Sequence, residues 1–239
     1  MSLNIPVQAK VWLKSTFRDP GQLLRKRDRF KCPCCGYEGH FATANRKYPV
    51  PFRCPNCESR PRDRQIFLWL KRNNVSLKGR KVLNFAPEWP MFRLLKNEPG
   101  YVGGDVQVRK NATAIVDITC INFPNAHFDY LVCNHVLEHV PDDKRAMQEC
   151  ARVMKTGGTG IFTVPVADQN ETWEPPTGMS VQDIEKICGW DHKRLYGRDF
   201  KSKLEAVGFS VDEFSCTQAE RREFCLADDT IYIATRKAD

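Results

Sequence analysis

The 239-residue chain has no uninterrupted apolar run of the ~18 residues that a helix needs to cross a bilayer, so no membrane span is expected. Its first residues, MSLNIPVQAKVWLKSTFRD, lack the apolar core of a secretory signal, and the expectation is a cytoplasmic protein. Internal repeats and low-complexity tracts are missing as well, which leaves one large domain, or one domain plus a small module. Acidic residues are scarce at the start. Residues 1–80 hold 18 Lys+Arg against 5 Asp+Glu, a net +13, and the remainder holds 19 against 24, a net −5. Four metal-bound thiolates would lower the total from +8 to +6, and the first third stays basic either way. Such a segment suits an anionic partner (nucleic acid, a phosphorylated metabolite or an acidic surface), or is a solvated face.

Cysteine, by contrast, is plentiful. The count of 11 is odd and no export signal accompanies it, so metal ligation is expected of the clustered cysteines rather than disulfides. Cys120, Cys133, Cys150, Cys188, Cys216 and Cys225 are scattered through apolar patterns and read as small buried hydrophobes. Cys32-Pro33-Cys34-Cys35 and Cys54-Pro55-Asn56-Cys57 each contain a C-x-x-C pair, with 18 residues between the pairs. That is the spacing of a zinc ribbon, with Cys32, Cys35, Cys54 and Cys57 as ligands. Cys34 breaks the two-residue spacing. Four cysteines leave no open coordination position, so the zinc is expected to be structural and to supply much of the module's folding energy. The next residues, Arg60-Pro61-Arg62-Asp63-Arg64, suit either guanidinium binding of phosphate or carboxylate, or a solvated helix start.

The chain divides by texture into a basic extension (1–31), the ribbon (32–61), a connecting helix (62–79) and an α/β domain (80–239). The connecting helix presents Ile66, Phe67, Trp69 and Leu70 on one face. Beyond Gly79, strands KVLNFA, YVGGDV, AIVDIT, FDYLVCN and GIFTVPV alternate with helices MFRLLKN and KRAMQECARVM, the latter stopping at Thr156-Gly157-Gly158. Residues 167–195 read as irregular, followed by a helix, RDFKSKLEAVG, and two strands, FSVDEF and TIYIATR. Alternation of this kind implies a Rossmann-like, doubly wound, mostly parallel seven-stranded sheet, with ligands beyond the carboxyl ends of its strands.

Four consecutive strand ends carry polar groups: Ala86-Pro87-Glu88, Asp105, Asp117-Ile118 and Asn134-His135. An acid ending the second strand is placed to bind ribose hydroxyls, and one ending the third to accept from an adenine amino group. Together they point to an adenosine-bearing cofactor.

At these residues the sequence resembles the class I S-adenosylmethionine-dependent methyltransferases, specifically the type-11-like group and its zinc-ribbon members. The resemblance rests on KVLNFAPEW, YVGGDV, VDIT, FDYLVCNHVLEHVPDD, ARVMKTGG and TIYIATR, with CPxC, Ser59-Arg60 and GWDHKRLYGRDF matching the ribbon-bearing members. It implies that Asp105 holds the ribose and that Asp117 and Ile118 flank the adenine. Asn84, Phe85, Ala86, Pro87 and Glu88 would line the methionine half, and Asn134 would sit beside the sulfonium. The usual G-x-G-x-G of the first loop has no counterpart here. Ala86 and Pro87 predict a stiffer loop with fewer backbone contacts, and Glu88 is placed to compensate by binding the cofactor's ammonium group or ribose.

Methyl transfer needs a base only when the nucleophile must lose a proton. His135, directly after a strand end, and His192, in Asp191-His192 with Arg194 and Tyr196 nearby, are the candidates. His139 reads as structural. Residues 167–197 form a lid-like insertion in which Trp173, Trp190 and Tyr196 are placed to wall a pocket. The expected activity is methylation of a small metabolite or glycan-type acceptor. The alternatives are an RNA methyltransferase gripping its substrate through residues 1–80, and a degenerate, non-catalytic interaction module. Against RNA, the basic third has few aromatics placed to stack on bases.

Overall fold

The computed structural model describes residues 6–24, 27–44 and 50–238. Arg25 and Lys26 of the basic run, and Arg46 and Lys47, lie outside the described residues. The elements begin with α1 (Val7–Arg18), β1 (Phe30–Lys31), β2 (Glu38–Gly39), β3 (Ala42–Thr43), β4 (Pro51–Arg53) and α2 (Pro61–Arg72). They continue with β5 (Val82–Phe85), α3 (Trp89–Leu95), β6 (Tyr101–Asp105), β7 (Ala114–Ile115), β8 (Phe128–Asn134), α4 (Asp143–Val153) and β9 (Met154–Thr163). Then follow α5 (Val181–Cys188), α6 (Phe200–Glu205), β10 (Phe209–Phe214), α7 (Gln218–Phe224) and β11 (Ile231–Arg236). The chain forms two compact units. One takes the residues through Ser76, together with Glu88–Leu94 and Ser215–Asp228. The other takes Leu77–Pro87, Leu95–Phe214 and the residues from Asp229 onward.

The first unit has little regular sheet. β1 pairs with β2 and β3 with β4, as two separate antiparallel ribbons. α1 is fastened where Ser15 donates to the Thr43 carbonyl at 3.0 Å and Thr43 donates to buried Asp19 at 3.0 Å. Of the apolar residues of α1, Val11 is buried, whereas Leu13 and Phe17 are exposed. In α2, Asp63 accepts the Arg60 backbone N–H at 2.8 Å as an N-terminal cap, and every residue from Asp63 to Leu70 is buried.

The second unit is built on a seven-stranded sheet in the order β10-β11-β9-β8-β5-β6-β7. β9, β8, β5, β6 and β7 run parallel, and β11 is antiparallel to both its neighbours. The expected α/β class and the seven-stranded sheet are both present. Its core gathers Leu83, Phe85, Leu131, Phe162, Phe200 and Phe209 with the inner face of α4. Gly104 lies where an added Cβ would come to 3.0 Å from the Val116 side chain, so any larger residue there would crowd it.

Several expectations need correction. The strand expected over AIVDIT is only two residues long, because Asp117 folds into a turn by accepting from the backbone and hydroxyl of Thr119. Thr156-Gly157-Gly158 does not end an element. β9 runs from Met154 through the glycines, and Gly157 (φ +75°) absorbs a register shift between the pairs Phe128–Met154 and Tyr130–Thr159. The irregular 167–195 stretch contains α5, capped by the Ser180 side chain, which accepts from the Asp183 N–H. Cys120 is exposed and Cys225 only half-buried, whereas Cys133, Cys150, Cys188 and Cys216 are buried as expected.

Candidate functional site

In the first unit the four predicted ligands converge. The sulfurs of Cys32, Cys35, Cys54 and Cys57 all lie within 4.8 Å of one another. Cys32 is 3.6 Å from Cys57 and Cys35 is 3.8 Å from Cys54. A tetrahedral ion with metal–sulfur bonds of ~2.3 Å requires sulfurs ~3.8 Å apart, so the donors fit such an ion. The two pairs are held by equivalent knuckles. Gly36 N–H donates to the Cys32 carbonyl at 2.8 Å and Glu58 N–H to the Cys54 carbonyl at 2.9 Å. Both donors are left-handed, Gly36 at φ +74° and Glu58 at +62°. Thiols donating to Cys32, Cys34 first among them, hold its own thiol well below the usual range. Cys34 is pushed the other way by burial.

Arg64 binds this unit together. It is fully buried and donates to the carbonyls of Phe52, Ser59, Phe224 and Cys225, with its guanidinium 4.7 Å from the centre of the Phe41 ring. The carboxylate-binding reading of the Arg60–Arg64 run is realised internally, for Arg60 and Arg62 both engage Glu88, the former at 3.0 Å. Glu88 thus has two arginine partners, and it belongs to the ribbon's unit rather than to the sheet's.

The rim of the sheet is assembled in the second unit. β5 ends at buried Phe85 and turns through Ala86 at φ +43°, a conformation in which glycine is the ordinary residue. The Ala86 N–H donates to the Gly104 carbonyl at 2.8 Å, and the Pro87 carbonyl accepts from Asn111 at 3.1 Å, so the loop is pinned on both sides. Asn84 is buried and donates to the Tyr101 hydroxyl at 3.2 Å, and burial raises that hydroxyl to about 12. Asp105 ends β6 with Oδ1 accepting from the Gln107 N–H at 3.1 Å. Its Oδ2 is buried and accepts no hydrogen bond among the described residues, although the Arg109 guanidinium approaches to 3.3 Å. Asp117 is exposed, and Ile118 is buried in the core cluster. At the end of β8, Asn134 accepts from the Thr163 hydroxyl at 2.6 Å.

His135 follows at φ +54°, with Nδ1 3.1 Å from Glu138 and Nε2 buried without a hydrogen-bond partner among the described residues. Residues 191–196 return to the same place. Arg194 is buried and donates to the carbonyls of Leu137, Val140 and Pro141, while the Tyr196 hydroxyl donates to Asp143 at 2.7 Å. These bonds set His192 against His139, ring centres 4.8 Å apart, and burial lowers the pKa of His192. Two of the proposed wall aromatics do not line a pocket, since Trp190 is 80 % exposed and Tyr196 is buried in the core. Glu138 is the residue that sequence reading missed. A glutamate early in a predicted helix looks like an ordinary first-turn acid, and only folding shows it to be 1 % exposed.

Residues 103–162 match the family described as a methyltransferase domain, a quarter of the chain that holds Asp105, Asp117, Asn134 and His135. A curated relative, a ubiquinone biosynthesis O-methyltransferase from Idiomarina loihiensis, is 34% identical over 65 residues, or 27% of this chain. The chain spans 25% of that relative's length. Among solved structures, an S-adenosylmethionine-dependent methyltransferase from Archaeoglobus fulgidus aligns at 16% identity over 71% of this chain and 92% of its own, with a TM-score of 0.49. A phosphoethanolamine N-methyltransferase of Haemonchus contortus, solved with S-adenosylhomocysteine, aligns at 13% identity over 74% and 53%, also with a TM-score of 0.49. The family match runs from within β6 through most of β9 and holds three of the four polar strand ends, those at Asp105, Asp117 and Asn134.

Proposed function

We propose that the chain transfers a methyl group from S-adenosylmethionine to a small metabolite or glycan-type acceptor, with a zinc ion held by Cys32, Cys35, Cys54 and Cys57 in a structural role. The observation that carries this is Asp105. Its Oδ2 is buried at a strand end and accepts no hydrogen bond among the described residues, with the exposed Arg109 guanidinium 3.3 Å away, so a ligand hydroxyl would supply the hydrogen bond it lacks. Bound there, the cofactor would supply an electrophilic methyl on a sulfonium. Asp105 would hold the ribose hydroxyls, and Asp117 would meet the adenine amino group, with Ile118 supplying apolar backing from beneath. The turn at Asn84, Phe85, Ala86 and Pro87 would border the methionine half, and Asn134, fixed by Thr163, would border the sulfonium. Alignment supplies most of the rate in such a displacement. His135 and His192 are the groups placed to take the acceptor's proton.

Calorimetric titration of S-adenosylmethionine into the full chain tests the assignment. Asp105→Ala should weaken binding by about 10- to 100-fold, the loss expected for hydrogen bonds to a buried charge. Unchanged affinity would remove Asp105 from the cofactor site.

One observation keeps the RNA reading alive. The ribbon's unit, as folded, contains 19 basic against 9 acidic residues, even after Glu88, Glu220 and Glu223 join it. RNA binding by the full chain that weakens steeply with salt would favour that acceptor, and salt-independent or absent binding would favour a small molecule.

A further inference from the structure

Among the described residues, one group of side chains besides the cysteine cluster gathers donor atoms suited to a metal. One donor atom each from Glu138, His139 and His192 lie within 4.8 Å of one another. We propose that these three residues bind a divalent transition-metal ion of the zinc class, separate from the cysteine cluster and with at least one coordination position left for a ligand oxygen.

The case begins with Glu138. It is 1 % exposed, and neither carboxylate oxygen receives a hydrogen bond among the described residues. The His135 ring lies beside it, with Nδ1 at 3.1 Å. A carboxylate removed from water needs a cation or a full set of donors, and this one lacks the donors. His192 presents the complementary feature, a buried Nδ1 with no hydrogen-bond partner among the described residues. His139 is prepared differently. Its Nδ1 lies 3.1 Å from the Asp191 carbonyl and 3.7 Å from the Asp191 carboxylate. Donating Nδ1–H to a carbonyl leaves Nε2 with its lone pair free, the arrangement by which ligating histidines are oriented.

The chain brings these residues together deliberately. Lys193 N–H donates to the Glu138 carbonyl at 2.7 Å, and Arg194 closes the 137–141 turn through three more carbonyls. Asp191 stands at φ +61° to turn His192 inward, a non-glycine residue held in a costly conformation. Two imidazoles and one carboxylate form the ligand set of open, catalytic zinc sites, whereas four thiolates make a closed one. Imidazole-rich sets also disfavour magnesium and calcium, which take oxygen ligands. Bonds of ~2.1 Å set tetrahedral donors ~3.4 Å apart, so binding would draw the three side chains inward.

His135, the residue after Asn134, has its Nδ1 3.1 Å from Glu138, so the three donors lie beside the end of β8. If the methyltransferase reading holds, a bound ion would coordinate an acceptor oxygen and lower its proton affinity, with His192 serving as a ligand and His135 left as the base. That role rests on the methyltransferase reading, but metal binding at this site does not.

The test is metal stoichiometry on the full chain, using zinc and then cobalt as probes. The wild type should bind two equivalents, one with the absorption of thiolate-bound cobalt and one with nitrogen and oxygen ligation only. His192→Ala and Glu138→Gln should each abolish the second equivalent and leave the thiolate-bound one intact. If buried Glu138→Gln fails to fold, the half-exposed His192→Ala, checked by circular dichroism, decides the matter. One equivalent in the wild type, or two retained in His192→Ala, overturns the proposal. S-adenosylmethionine titration of the same samples separates loss of the metal from failure of the cofactor assignment.

Discussion

Ala86 shows how a single residue can be read correctly in kind and still surprise in detail. The sequence suggests a cofactor loop in which alanine and proline replace glycines, and a stiff turn follows from that. The backbone nevertheless takes the glycine-like path, at φ +43°. A left-handed alanine costs ~1–2 kcal/mol, and glycine's extra freedom when unfolded returns part of that. Ala86→Gly should therefore stabilise the chain by at most about 1 kcal/mol, read as a higher urea midpoint at unchanged slope. A lower midpoint would mean that the alanine methyl packs usefully. Asn84 teaches the complementary lesson. Polarity near a strand end suggests a ligand contact, but strand alternation decides which way the side chain points, and Asn84 points to the Tyr101 hydroxyl.

At the scale of elements, the legible parts were those fixed by local chemistry. C-x-x-C spacing specifies knuckles, and FDYLVCN, a continuous apolar run, becomes β8 residue for residue. The parts missed are those whose signals are short. α7 is announced only by the capping box Thr217-Gln-Ala-Glu220, and α5 only by Ser180 and Asp183. Arg64 could not be foreseen at all, because its four carbonyl partners come from three separate segments. Removing it strands those carbonyls in a buried setting, at ~1–3 kcal/mol each before relaxation. Arg64→Met should cost about 3–5 kcal/mol in urea unfolding and expose residues 215–228 to protease. Arg64→Lys should rescue little, because an ammonium has three donors from one point where the guanidinium spreads five. Full stability in either variant would show that the carbonyls find other partners.

At the scale of the molecule, the charge asymmetry read along the sequence is real but softened in space. Lys31, Arg72 and the Arg60–Arg62 pair find Glu223, Glu220 and Glu88, acids that the linear count assigned to the other part of the chain. This happens because the first unit recruits Glu88–Leu94 and Ser215–Asp228 from far along the sequence. If the cysteine cluster holds zinc as proposed, stripping the metal should therefore unfold more than the ribbon. Hydrogen exchange after chelation should show lost protection in residues 30–44 and 50–59 and also in α7, which Arg64 and the bond from Cys225 to the Pro51 carbonyl tie to it. The amides of β5, β8 and β9 should keep theirs. Protection retained in α7 would separate that helix from the metal module.

The interleaving also bears on how such a chain can be rearranged by recombination. The backbone passes between the two units five times, at residues 76, 87, 94, 214 and 228. A ribbon confined to one terminus can be gained or discarded like a bead, whereas this one has its roots in three places. A chimera that exchanged only residues 1–80 with a relative would leave α7 and the Glu88 segment matched to a partner that is no longer there.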